Sequence, residues 1–90
     1  MDLSEEKLSR ALSASSRRDI LRLLAEQELT VKEIAQHSKQ SVSLASRHLT
    51  FLRDLGLIEA RKEAQHKFYS LKIKELNDLL VLYDKVIKKL

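Results

Sequence analysis

Gly56 is the only glycine in a 90-residue chain without proline, and the hydrophobic pattern changes its period there. Up to Gly56, apolar residues recur every three or four positions, the spacing of helices that bury one face. Beyond it, Leu57-Ile58-Glu59-Ala60-Arg61-Lys62 and Lys67-Phe68-Tyr69-Ser70-Leu71 alternate with a period of two and read as paired strands. Glu63-Ala64-Gln65-His66 between them lacks the Asn-Gly or Gly of a tight primed turn, which predicts a loop of about four residues. From about Lys72 the helical period returns, with Ile73, Leu76, Leu80, Tyr83, Ile87 and Leu90 at intervals of three and four.

Upstream, capping residues divide the helical part. Ser4-Glu5-Glu6 opens a short helix with Leu8, Ala11 and Leu12 on one face, and acids in its first turn suit a helix start. Ser15 and Ser16 precede a second, carrying Ile20, Leu21, Leu23 and Leu24 and ending near Glu26. Thr30-Val31-Lys32-Glu33 is a capping box for a third, whose buried side is Val31, Ile34 and Ala35. After the short link Ser38-Lys39-Gln40, Ser41 caps a fourth, and Gly56 suits the position just past its end. The expected fold is mainly α with a small β-hairpin, in the order α-α-α-α-β-β-α. One domain spans residues 1–90: a helix-turn-helix at 30–56, a hairpin wing at 57–71, and helices at 1–14 and 72–90 left for dimerisation.

The fourth helix carries the functional signal. At about 100° per residue, Ala45, Leu49 and Leu52 fall in one arc, while Ser43, Ser46, Arg47 and Thr50 fall opposite. A merely solvated face in so charged a chain is richer in Glu and Lys. Short hydroxyl side chains with one Arg let a helix approach a groove closely and donate to phosphates and base edges. Charge distribution agrees: residues 39–74 hold eight basic and three acidic side chains, although the chain as a whole is only +4. Arg61, Lys62 and Lys67 then read as phosphate contacts from the wing, the competing reading being edge-strand lysines that discourage pairing.

Other chemistries find little support. Without cysteine there is neither a disulfide nor a thiolate metal site. No nucleophile and base stand at a defined spacing and no glycine-rich phosphate loop occurs, so an enzyme is not expected and no cofactor is implied. An acidic start and the lack of a long apolar run predict a soluble, cytoplasmic protein with no membrane partner. His37, His48 and His66 share no spacing that converges on a metal; they read as a helix-end residue, a DNA-facing donor and a wing-tip polar residue.

Residues 17–24, 28–35, 41–49 and 52–58, followed by Phe68-Tyr69-Ser70-Leu71, make the chain similar to the ArsR/SmtB family of winged helix-turn-helix repressors. Ser46-Arg47-His48-Leu49, followed by Leu52-Arg53-Asp54-Leu55-Gly56-Leu57-Ile58, is the most specific part of the match, which spans about residues 8–71. The resemblance implies a homodimer on palindromic double-stranded DNA that represses its own or a neighbouring operon. Carried over, Ser41, Ser43 and Ser46 anchor phosphates, Arg47 contacts a base, His48 reaches a phosphate and Gln40 meets backbone or base. Val42 either touches a thymine methyl or packs. Thr50, Gln65 and His66 complete the expected DNA-binding set, and Leu8, Leu12, Ile73, Leu76, Leu80, Tyr83, Ile87 and Leu90 the expected dimer interface. Packing of the last helix on the first within one chain is the competing reading of that seam.

The departures concern sensing. Thr30 and Lys32 stand where arsenic- and cadmium-sensing members carry cysteines. The last helix offers Glu75, Asp78 and Asp84 but no histidine, a poor donor set for zinc or nickel. A metal-independent regulator of unknown effector is therefore expected. Ala64 and Gln65 replace the usual wing Gly and Arg, which argues against deep minor-groove insertion. A winged helix that docks another protein through the wide apolar surface of its last helix is the alternative function, kept open by Leu44 and Phe51 on the flank of the fourth.

Overall fold

Ile20, Leu21 and Leu24 belong to the helix around which the others assemble in the computed structural model, which describes residues 3–90. The elements are α1 (Ser4–Leu12), α2 (Ser15–Glu26), α3 (Val31–Ser38), α4 (Val42–Asp54), β1 (Ile58–Glu63), β2 (His66–Leu71) and α5 (Glu75–Lys88). Met1 and Asp2, the start of the expected 1–14 segment, lie outside the described residues. The fold is a winged helix-turn-helix in the expected element order.

Local chemistry accounts for the helix boundaries. The capping box at Thr30 is complete: Glu33 N donates to Thr30 Oγ1 at 3.3 Å, and Thr30 N donates to Glu33 Oε1 at 2.9 Å. Two arginines close the corner between α1 and α2. Arg17 Nη2 donates to Arg10 O at 2.6 Å, and Arg18 Nη1 donates to Leu12 O at 2.6 Å, so both satisfy carbonyls that the end of α1 leaves open. At the end of α4, Gly56 takes φ +83° while its N–H donates to Arg53 O and Leu57 N–H to Leu52 O. That hydrogen-bond pair is a Schellman ending, which needs the left-handed conformation glycine adopts without penalty. An added Cβ on Gly56 meets nothing within 4 Å. Gly56→Ala should therefore destabilise through backbone strain alone, by about 1 kcal/mol in a denaturant melt, with the fold unchanged by circular dichroism.

Three features differ from the sequence expectation. The hairpin turn has two residues rather than four, because Glu63 pairs directly with His66 and Ala64 accepts φ +55° in place of the expected glycine. The last helix begins at Glu75 rather than near Lys72, because Lys72 and Ile73 N–H groups bond Leu57 O and hold the chain against β1. Leu29 forms a bridge to Tyr69, with Tyr69 N donating to Leu29 O at 2.8 Å, so a third extended segment borders the hairpin.

The core joins α2 to Ile34 and Ala35 of α3, to Ala45, Leu49 and Leu52 of α4, to Ile58 and Leu71 of the hairpin, and to Leu76 and Leu80 of α5. No polar side chain is fully buried among the described residues, and no helix there is long and apolar enough to cross a membrane.

Candidate nucleic-acid interface

Helix α4 is set by its cap and by the three residues it buries. Ser41 Oγ accepts the Leu44 N–H at 3.0 Å, and Ala45, Leu49 and Leu52 are fully buried, which fixes the rotation of the helix. Ser43, Ser46, Arg47 and Thr50 are thereby turned to solvent. Arg47 has no ion pair among the described residues, so its guanidinium keeps all its donors for another molecule. Val42, at the first position of the helix, is 48% exposed.

One flank of α4 is braced against the α1–α2 corner. His48 is half-buried, with Nε2 3.1 Å from Ser16 Oγ. The Arg10 and Arg17 guanidinium groups lie 5.6 and 5.0 Å from the centre of the Phe51 ring. Gln40, expected at DNA, turns inward instead, its Nε2 donating to Ser16 O at 3.3 Å while its buried Oε1 finds no partner. Its side chain ties the turn of the helix-turn-helix to α2.

Burial, and then the nearby Arg17 and Arg47, hold the His48 pKa below its ordinary 6.5. The folded state therefore favours the neutral ring, and between the two pKa values the unfolded chain binds more protons. His48 should contribute stability that is fully present above pH 6.5 and is lost as the pH falls through the lower folded value. Glu28 and Glu33 are held below 4.5, Glu28 mainly by Arg61 and Glu33 by its capping bonds to Thr30, so their window lies lower. The melting temperature of the wild type should fall below pH 6.5. That of His48→Gln, which keeps a polar partner for Ser16, should stay flatter over the same interval.

The wing separates its basic residues into two kinds. Arg61 is already paired: it makes a two-point pair with Glu28 at 2.9 and 3.1 Å, a second pair with Glu63, and lies 4.9 Å from the centre of the Phe68 ring. Both carboxylates raise its pKa further. Its charge is matched within the chain, so a phosphate would have to compete with Glu28 and Glu63 for the guanidinium. Lys62 and Lys67 sit directly opposite each other in the hairpin, exposed and without acidic partners among the described residues. Like charges in that register repel, and a polyanion relieves the repulsion. Gln65 is exposed in the turn, and the exposed His66 ring tilts against Phe68 at 6.3 Å.

One cationic feature escaped the sequence reading. Arg10 and Arg17 reach α4 from a segment that carries no net positive charge, so no local pattern marks them. Lys39, the first cation of the basic stretch, ends α3 with φ +56° and is exposed one residue before Gln40 in the turn that enters α4.

The expected dimer seam divides between two surroundings. Leu76 and Leu80 are 3% and 2% exposed because α5 packs them against the core. Leu8 and Leu12 are half-buried against the same core, and Tyr83 is half-buried with Arg18 5.6 Å from its ring centre. Arg22 fastens α5 to α2 through Asp84 at 2.7 and 3.2 Å. What α5 leaves open is Leu79, Val81, Leu82, Val86 and Ile87, with Ile73 before the helix and Leu90 after it. Beside it, Leu8, Leu55, Leu57, Ile73, Leu76 and Leu79 line an apolar groove of about 400 Å³ between α1, α5 and the end of α4.

A helix-turn-helix whose second helix is buried on one side and acid-free from Ser43 to Thr50 on the other, followed at once by a two-stranded wing, defines a winged helix-turn-helix regulator. The profile of the bacterial regulatory protein arsR family matches residues 14–60, and the chain belongs to that family. It is 39% identical over 75 residues to the transcriptional activator HlyU of Vibrio cholerae, covering 83% of this chain and 69% of that protein. With the transcriptional repressor SdpR of Bacillus subtilis it shares 35% identity over 69 residues, 77% of each chain. Its backbone is also similar to the homodimeric winged helix-turn-helix DNA-binding domain of a possible ArsR-family regulator from Mycobacterium bovis. There the TM-score is 0.85 at 30% identity, covering 96% of this chain and 80% of that one. These relatives are transcriptional regulators rather than enzymes.

Proposed function

We propose that the chain acts as a homodimeric, metal-independent transcriptional repressor that lays α4 of each protomer in the major groove of a pseudo-palindromic operator. The acid-free exposed row of Ser43, Ser46, Arg47 and Thr50 carries this reading, because such a row fits a groove lined with phosphates and acceptor edges. In it, Ser41, Ser43 and Ser46 bond phosphates, Arg47 takes guanine O6 and N7, and Lys62 and Lys67 meet phosphates beside the groove. Two recognition helices related by the dimer axis call for half-sites ~10 bp apart. The exposed apolar face of α5 supplies the dimer contact in this reading, and the homodimeric Mycobacterium bovis domain supports a dimer. Repression follows from occupancy, since a dimer covering an operator needs no further surface. The absence of cysteine and the pairing of Asp84 with Arg22 support metal independence.

The test is a titration of a duplex from the protein's own upstream region against a scrambled duplex, at two salt concentrations, with the mass of the complex recorded. Tight, sequence-dependent binding that weakens with salt, by a dimer indifferent to chelator, is the expected result. Equal binding to both duplexes, or none, removes the operator reading and leaves the protein-docking module. A reporter behind the same duplex should lose expression when the protein is supplied.

A further inference from the structure

We infer that Val42 recognises a thymine methyl group in each operator half-site, a deeper statement of specificity that rests on the operator-binding reading above. Val42 is the first residue of α4 and is 48% exposed, although a β-branched side chain there adds little helix propensity and leaves about half its surface in water. The N-terminal part of a recognition helix is the part that reaches base edges. In the major groove the only apolar feature of a base edge is the C5 methyl of thymine.

Neighbouring residues fix the direction. Val42 and Ser46 are four apart and form one row along the helix, about 100° round from the row of Ser43 and Arg47, so the apolar tip marks one edge of the exposed face and the guanidinium its middle. Leu44, the other exposed apolar residue of this helix, lies on the opposite flank, with Phe51, toward the arginines of the α1–α2 corner. Val42 and Arg47 are five positions apart, a rise of about 7.5 Å along the helix, so the two side chains meet different base pairs of one half-site.

The experiment selects duplexes from a random pool with the wild-type protein, then replaces each half-site thymine in turn by deoxyuridine, which removes only the methyl group. One position should weaken wild-type binding about fourfold per half-site. Val42→Ala, which favours the helix and removes exposed surface only, should bind the thymine duplex as weakly as the wild type binds the uracil duplex, and should be indifferent to that replacement. If no position responds, or if Val42→Ala responds as strongly as the wild type, the methyl contact is wrong while operator binding stands. If selection returns no preferred sequence, the operator reading fails and takes this inference with it.

Discussion

Arg47→Ala should lower affinity for the operator by about 30-fold or more and affinity for a random duplex far less. A two-point contact to guanine discriminates by about 1–3 kcal/mol, and a dimer presents the residue twice, so the loss on the specific site is about 2–6 kcal/mol. On random DNA the same guanidinium is only one cation among several, and its removal costs a single counterion exchange per protomer. Among the described residues no ion pair holds Arg47, since those present involve Arg22 and Arg61. Arg47→Lys separates charge from geometry: it should keep the affinity for random DNA and recover only part of the operator affinity, because an ammonium lacks the planar pair of donors. Equal losses on both duplexes would show that Arg47 merely neutralises phosphate. The wing gives the complementary signature. Lys62→Ala and Lys67→Ala should weaken both duplexes alike and flatten the dependence of log affinity on log salt by about one for each phosphate contact removed.

The helical part of this interface was legible in the sequence because its determinants are local. Ser41, the capping box at Thr30 and the arc of Ala45, Leu49 and Leu52 each act within a few residues, and the structure has them as expected. Gly56 marked the period change for the same reason. Ala64 was opaque because it occupies a left-handed position that turn chemistry assigns to Gly or Asn, so the hairpin read as a longer loop than it is. Partners distant in the chain left no signal. Glu28 meets Arg61 across 33 residues, and Ser16 receives Gln40 and His48 from 24 and 32 residues away. Composition counted Arg61 as a free cation, and only the fold shows that its charge is answered. The last helix teaches a different lesson. Intervals of three and four say which residues share a face, not which neighbour that face meets.

That distinction makes the second large effect a contrast between residues only two positions apart. Leu80 is 2% exposed and faces the core, whereas Leu82 and Val86 are 59% and 58% exposed on the open side of α5. Leu80→Ala should leave a cavity and destabilise the fold by about 2–5 kcal/mol, a large fraction of what a small domain possesses. Leu82→Glu with Val86→Glu should do the opposite, leaving the protomer folded by circular dichroism, since neither side chain contributes to its core. Sedimentation should then show a monomer at concentrations where the wild type is a dimer, because a symmetric contact places each new carboxylate against the partner's apolar face or its own symmetry mate. Loss of the second protomer removes the linkage between half-sites, so affinity for a two-half-site operator should fall by about a hundredfold or more while affinity for one half-site hardly changes. A folded dimer with unaltered operator affinity would place the interface elsewhere. The apolar groove between α1, α5 and the end of α4 is then the surface to substitute next, because Leu8, Ile73 and Leu79 line it on the same side of the fold.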